Sequence, residues 1–283
     1  MNYLEKMKTA IEYIETRLTQ KLDLDDIAGA VHYSKYHLHR LFSRTVGLTI
    51  HDYVKRRQLT EAAKLLVFSD RPILDIALLA GYEGQQSFSA VFKAMYKQSP
   101  NRFREREVFY PLQLRYEFAG EFPMTQTDRP LFPIRFAFEE DLPFWMELTR
   151  LVVDGFPCLD EAEHIRTVRQ CMKQKEALII TDGQRALGTM LFSYDTGTIG
   201  FLGVHPLCRR QGIARAFLDK LTDELLPEKT AFSITTYRSG DQADPGHRKA
   251  LISLGFGEAE PLVEFGYPTQ RFILPNRRSL IHG

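Results

Sequence analysis

Two stretches of this chain carry side chains whose types and spacing suit chemistry on anions and bases. In the first, Ser34 stands where a helix N-cap belongs, and Leu38, Leu41, Phe42 and Thr45 follow at helical spacing. Lys35, Tyr36, His39, Arg40 and Ser43 then share the opposite side. Such a face, with donors, one aromatic and two cations, suits the major groove, where an arginine holds guanine O6 and N7 together. A second helix of the same kind opens at Gln85 and Gln86, turns Phe88, Val91, Phe92 and Met95 inward, and presents Gln86, Ala90 and Lys93 outward. Glutamine suits adenine N6 and N7. The second stretch is Leu202-Gly203-Val204, which ends a strand, followed by Arg209-Arg210-Gln211-Gly212-Ile213-Ala214, which leads into a helix. Backbone N–H groups at a helix start, with the helix dipole behind them, favour negative charge. Gly212 and Ala214 are small enough to let a pyrophosphate approach the backbone, and Arg209 and Arg210 add positive charge to the rim.

The elements that must position the first stretch form a repeated pattern. Residues 2–20 carry Leu4, Met7, Ile11, Ile14 and Leu18 at spacings of three and four, which predicts an opening helix. Further helices follow at Leu24–Val31, Ser34–Val46, Thr49–Phe68, Ile73–Leu79 and Gln85–Tyr96, with breaks at Gly47, Pro72, Gly81, Gly84 and Pro100. Residues 27–42 and 76–96 each read as helix, tight break and helix: two helix-turn-helix units in one polypeptide, joined by one long helix. In residues 109–132, Leu112, Leu114, Tyr116 and Phe118 alternate with polar neighbours, which predicts a short strand or clip.

From Pro133 strands and helices alternate: strands at 133–137, 177–181, 185–193, 198–204 and 231–236, helices at 141–153, 160–173, 212–226 and 247–254, and closing strands near 262–265 and 270–274. The expectation is therefore two domains, an all-α tandem helix-turn-helix over residues 1–107 and an α+β domain with a mixed central sheet over 133–283, with a linker at 108–132 holding the strand. A length of 283 residues accommodates this.

Composition is that of a globular chain, with 44% hydrophobic and 26% charged residues. The net charge of +1 conceals an asymmetry: residues 1–108 hold 17 basic against 13 acidic side chains, the remainder 20 against 23. The surplus lies with the half that phosphate binding would require. Cys158, Cys171 and Cys208 are odd in number and widely spaced, with neither a metal-ligand pattern nor a disulfide framework. His37 and His39, two apart on a helix, cannot face one metal. The charged, amphipathic N-terminus is not a signal peptide, and no apolar run approaches the roughly 18 residues of a membrane span, so a cytoplasmic protein is expected.

Residues 5–107 resemble the AraC/XylS family of transcription regulators. The likeness rests on Leu24, Ala28, Ser34, Leu38, Phe42, Gly47, Tyr53, Ala62 and Leu66, then Ile76, Ala77, Gly81, Tyr82, Phe88, Phe92, Lys93, Ser99, Pro100 and Arg104. It implies double-stranded DNA as partner, two recognition helices about one turn of DNA apart, and base contacts from Tyr36, His39 and Arg40 in the first helix and Gln85 and Gln86 in the second. Three positions depart from the family: Ala90 stands where an arginine is frequent, Gly84 replaces a capping Asp or Ser, and Gln58 replaces an arginine in the connecting helix. The first unit is therefore expected to read sequence and the second to contribute affinity.

Residues 133 to about 275 resemble the GNAT acetyltransferases, through Val204, Pro206, Arg209, Gly212 and Ala214 and the later Leu254-Gly255-Phe256. The likeness implies acetyl-CoA, with a sheet that splays after Val204, backbone groups of Leu202 and Val204 lining the thioester, and the loop from Arg209 to Ala214 holding the pyrophosphate. Acetyl transfer further needs a base and an acid for the departing thiolate. Many members supply the acid from a tyrosine at the position of Leu251, with an asparagine where Asp244 stands. Tyr237 could substitute, though nothing in the sequence singles it out. Cys208 lies in the phosphate loop, where an inert small residue is the commoner role. Asp154, Asp160, Glu161 and Glu163 would suit a small cationic amine, although a solvated helix face is the commoner outcome.

These features lead to a DNA-binding transcription regulator whose second domain binds acetyl-CoA or a related ligand as effector. The alternatives are a working N-acetyltransferase for a small amine on the same chain, or a dimerisation block with an empty pocket; monomer and homodimer are both compatible.

Overall fold

Ser34 caps a helix as expected in the computed structural model, which describes residues 3–20, 22–117, 130, 132–152, 160–209, 211–264 and 266–276. The chain divides into two units. The first holds α1 (Tyr3–Glu15), α2 (Leu24–Ala30), α3 (Lys35–Val46), α4 (Ile50–Phe68), α5 (Ile73–Leu79), α6 (Gln85–Tyr96) and α7 (Pro100–Glu105). Asp23, Ser34, Thr49 and Ser99 accept from backbone N–H groups of α2, α3, α4 and α7, which satisfies donors that the first turn leaves without partners. α1 stops at Glu15, short of the expected 20, and gives way to turns. α7 was not anticipated, although Ser99-Pro100, a cap followed by proline in the first helical turn, is its sequence signature.

The long α4 serves both helix-turn-helix units. Its Leu59, Ala62, Ala63 and Leu66 join Ile76, Ala77, Phe88, Phe92, Met95, Tyr96 and Phe103 in one core, while Tyr53 nearer its start packs edge-on against Phe42 of α3. Each fully buried aromatic there contributes about 1.5–3 kcal/mol.

Of the short strand or clip expected after α7, the described residues form no strand. Among the described residues up to 117 the chain pairs with no ladder; it lies along α4 instead. Thr60 Oγ1 accepts from the Leu112 and Gln113 N–H groups, both at 3.1 Å, and Arg57 Nη1 donates to the Gln113 carbonyl at 3.0 Å. Tyr110, Leu112, Gln113 and Tyr116 are buried and Leu114 is exposed, so the alternation marks a segment docked on a helix. Phe118 lies outside the described residues.

The second unit contains two antiparallel sheets. One has the order β1 (Arg135–Phe136), β2 (Ala177–Thr181), β3 (Ala186–Phe192), β4 (Ile199–Val204); the other runs β5 (Ala231–Tyr237), β7 (Tyr267–Pro275), β6 (Gly257–Glu264). A parallel bridge between Thr198 and Ser233 joins them, which makes the arrangement mixed. α8 (Leu142–Val152) and α9 (Glu161–Gln174) cover one face of the first sheet through Trp145, Leu148 and Val168. α10 (Ile213–Lys220) covers the other and continues as a π-helical turn over Leu221–Leu225, and α11 (His247–Leu254) packs on β5. With both faces covered, β3 is buried throughout. Gly188 is required there: a Cβ would meet Ile213 Cγ2 at 2.7 Å and Phe217 Cε2 at 2.9 Å, so α10 rests directly on the strand.

Candidate functional sites

In α3 the Ser34 hydroxyl accepts from His37 N–H at 3.3 Å, and Leu38, Phe42, Thr45 and Val46 turn inward. That leaves Lys35, Tyr36, His39 and Arg40 exposed along the opposite side, as expected from their spacing. Tyr36 is 80% exposed, a large ring held in water with Lys35 beside it. Lys35 also reaches Asp25 at 3.4 Å, a solvated pair worth little. Ser43, expected outside, instead buries its hydroxyl.

In α6, Phe88, Phe92, Met95 and Tyr96 are buried and Gln85, Gln86, Ala90 and Lys93 are exposed. Gly84 precedes this helix without a side-chain cap, so the helix lacks the local lock that Ser34 gives α3. Gln58 donates to the Leu18 carbonyl at 2.8 Å and ties α4 to the end of the first helical segment.

A buried ion pair joins α1 to α4 beneath the first of these helices, and neither residue's place in the chain marks it. Glu15 of α1 accepts from Arg57 Nε and Nη2, both at 2.9 Å, and from the Tyr53 hydroxyl at 2.7 Å. Their side chains are only 7% and 8% exposed, and Arg57 also holds Glu61 at 2.9 Å. Burial opposes the charge on Arg57, but its bonds to Glu15 more than offset this and raise its pKa above the usual value. Burial, reinforced by the Glu15 charge, also pushes the Tyr53 phenol up.

In the second unit the sheets part earlier than expected. Ser233 N–H donates to the Gly197 carbonyl and the Thr198 and Ser233 hydroxyls are 3.2 Å apart, but no ladder joins β4 to β5 beyond that point among the described residues. The separation therefore starts at the beginning of β4, not after Val204. β4 is left as an edge strand at Leu202, Gly203 and Val204, so alternate N–H and C=O groups turn away from β3 towards the opening. The resulting cleft has Leu202–Val204 on one side and the end of β5 on the other.

The loop at its end is tightly made. His205 N–H donates to the Leu187 carbonyl at 2.9 Å, and its Nδ1 accepts from Leu207 N–H at 3.2 Å. Burial, then the charges of Arg185 and Arg209, hold His205 at a pKa of about 3, so it is a neutral acceptor. Nothing in the sequence marked this histidine. Gln211 Nε2 donates to the Leu207 carbonyl at 3.2 Å. Gly212 caps α10 with φ of +73°, a conformation that L side chains rarely adopt, and offers no capping side chain. The first bond inside the helix runs from Ala216 N–H to the Gly212 carbonyl, so the N–H groups of Ile213, Ala214 and Arg215 precede any helical acceptor. Arg209 is half-buried, with its charge near His205, Ile213 turns its side chain into the core, and Arg210 lies outside the described residues. This donor set fits a pyrophosphate.

The residues considered for acid–base work are placed less favourably. Leu251 is buried at the position of the expected acid. Tyr237 is fully buried, with its ring edge-on to Tyr267. Asp244 accepts from the Gly246 and His247 N–H groups and so shapes the start of α11. Burial pushes the Cys208 thiol up to about 12, which keeps it protonated. Among the carboxylates thought to suit an amine, Asp160 caps α9, Glu161 is held by Arg150 at 2.7 and 2.8 Å, Glu163 is exposed, and Asp154 lies outside the described residues.

A family model described as a helix-turn-helix domain matches residues 27–106, and one described as the acetyltransferase (GNAT) family matches residues 145–248. The chain is 42% identical over 98 residues to the HTH-type transcriptional activator AarP of Providencia stuartii, covering 35% of this chain and 73% of AarP. It is 37% identical over 106 residues to the regulatory protein SoxS of Salmonella typhimurium, covering 38% of this chain and 99% of SoxS. Over 104 residues it is 36% identical to the uncharacterized HTH-type transcriptional regulator YbfP of Bacillus subtilis, a match spanning 37% of this chain and 35% of YbfP. A solved GNAT-family acetyltransferase from Bacillus cereus is similar at 14% identity and a TM-score of 0.40, over 53% of this chain and all of that one. No described helix is long and apolar enough to cross a membrane.

Proposed function

Because the chain belongs to the AraC-type helix-turn-helix regulators and carries a GNAT acetyltransferase domain, we propose that it is a sequence-reading transcription regulator whose GNAT domain binds acetyl-CoA, or a related acyl-CoA, as an effector. The observation that carries the effector role is a contrast within the second unit. An anion site at the start of α10 is supported by Gly212 in the left-handed region, the lack of a side-chain cap there and Arg209 three residues earlier in the chain. The acid position holds a buried leucine, and Tyr237 is sealed in the core. In this reading the N–H groups of Ile213, Ala214 and Arg215 and the guanidinium of Arg209 hold the pyrophosphate, while backbone groups of Leu202 and Val204 line the thioester. When bound, acetyl-CoA brings a thioester to the cleft. In the first unit Arg40, with Tyr36 and His39, reads base edges, whereas Gln85, Gln86 and Lys93 add affinity.

An effector must change DNA affinity by the same factor by which DNA changes effector affinity. The test is calorimetric titration of acetyl-CoA into the full chain, free and bound to a duplex that the protein selects from a random-sequence pool. The expected result is two dissociation constants whose ratio equals the shift in DNA affinity at saturating acetyl-CoA. Binding of acetyl-CoA with no shift in either direction refutes the effector role, and steady release of free CoA with a panel of small amines identifies a working acetyltransferase instead.

A further inference from the structure

The two helix-turn-helix units share α4 but little else. Among the described residues no helix of α1–α3 packs broadly against a helix of α5–α7. Between the end of α1 and α5 lies an open cleft of about 680 Å³, with Leu18, Thr19, Leu65, Phe68 and Leu79 among its walls. A pair of bodies joined by one helix and parted by a cleft can rock about that helix, and two recognition helices on rocking bodies would not hold one separation.

Residues 110–116 bridge both bodies. At one end Tyr110 is packed against Tyr96 and Phe103, at 5.3 and 5.4 Å between ring centres, and exchanges hydroxyl-to-carbonyl bonds with Tyr96 at 3.4 Å each way. In the middle Thr60 accepts from two successive N–H groups and Arg57 holds the Gln113 carbonyl. At the other end Tyr116 stacks on Tyr53 at 6.0 Å and its hydroxyl donates to the Val46 carbonyl, the last residue of α3, at 3.2 Å. Arg115 pairs with Glu12 of α1. The segment thus ties the last residue of the first recognition helix to the aromatic core that seats the second.

We propose that residues 110–116 are a positioning strap that sets the angle between the two helix-turn-helix units and thereby the spacing of DNA half-sites the protein accepts. This rests on the reading that both recognition helices engage DNA. The strap touches no base. It acts by keeping one relative orientation populated, because affinity falls by the fraction of molecules in the competent orientation.

The test uses the full chain with Cys158 and Cys171 replaced by serine and spin labels on cysteines introduced at the exposed positions Asp26 and Glu83, one in each unit. The label-to-label distance distribution is compared between this parent and Thr60→Val, which keeps the shape of the side chain but removes the shared acceptor, and Tyr116→Ala, which removes an anchor. Leu114→Ala, at an exposed position of the same segment, is the control. The expected result is a broader distribution in both strap variants and none in the control. On the duplex selected by the wild type, the strap variants lose about tenfold in affinity, the loss expected when the competent orientation falls to about a tenth of the population. They also suffer a smaller further loss than wild type when two base pairs are inserted between half-sites. Unchanged distributions in both variants, with helical content retained by circular dichroism, overturn the strap. If the wild type selects no duplex at all, the DNA-binding reading falls while the distance measurement still decides the strap.

Discussion

Replacing Arg57 by methionine keeps most of the buried aliphatic stem and removes the charge that Glu15 faces. The Glu15 carboxylate, 7% exposed, then keeps only the Tyr53 hydroxyl among the three donor contacts described, and the Gln113 carbonyl loses its bond from Arg57. Breaking one side of a buried pair costs about 3–5 kcal/mol, because the remaining charge is left without compensation. Against a typical domain stability of about 5–15 kcal/mol, that is a large share of the total for the first unit. Replacing both partners, as Glu15→Leu with Arg57→Met, removes the stranded charge and should recover about 1–3 kcal/mol, leaving mainly the unpaired Tyr53 hydroxyl and Gln113 carbonyl. The two domains can be followed separately in urea. The single tryptophan, Trp145, is fully buried in α8, so its fluorescence reports the second unit, while circular dichroism also follows the helices of the first. The expected result is a lower urea midpoint for the helical transition in Arg57→Met, a partial return in the double variant, and an unmoved Trp145 transition in both. A single-variant cost below about 1 kcal/mol would mean the pair is solvated and worth what surface pairs are worth. A double variant no more stable than the single would refute the stranded-charge argument.

Three further outcomes follow from the geometry. His205 is held neutral at a pKa of about 3 against an ordinary 6.5, so between these values the unfolded chain binds more protons than the folded one. Stability of the second unit should then fall as pH drops below 6.5, by at most about 1.4 kcal/mol per pH unit from this group, and His205→Asn should flatten the pH dependence of the Trp145 urea midpoint; equal slopes would dismiss the assignment. Gly188→Ala drives a methyl into Ile213 and Phe217, so it should cost about 1–3 kcal/mol of second-unit stability and weaken acetyl-CoA binding by shifting the start of α10, as read by calorimetry. Arg40→Ala should relax base preference at one position by about 1–3 kcal/mol, whereas Gln86→Ala should weaken binding more evenly across sequences; selection from a random pool that shows the reverse would exchange the roles of the two helices.

Much of what neighbours in the chain set was legible from the residues in order. Ser34 caps α3 because a hydroxyl reaches an N–H three residues on, and the inward stripes of α3 and α6 follow from 3.6 residues per turn. The glycine turn at 212 was readable for the same reason. What depended on distant partners was not. The alternation of Leu112, Leu114 and Tyr116 describes any extended segment with one buried side, and only the presence of α4 with Thr60 beneath it decides between a strand and a strap. Glu15 and Arg57 lie far apart in sequence and look like two surface charges until α1 is laid across α4, where desolvation leaves each the other's principal partner. β6 is largely exposed and therefore carries no period-two signal; its length comes from pairing with β7. The point at which β4 and β5 separate belongs to the same class, because a ladder needs two strands far apart in the chain and neither strand's residues alone say where their pairing stops.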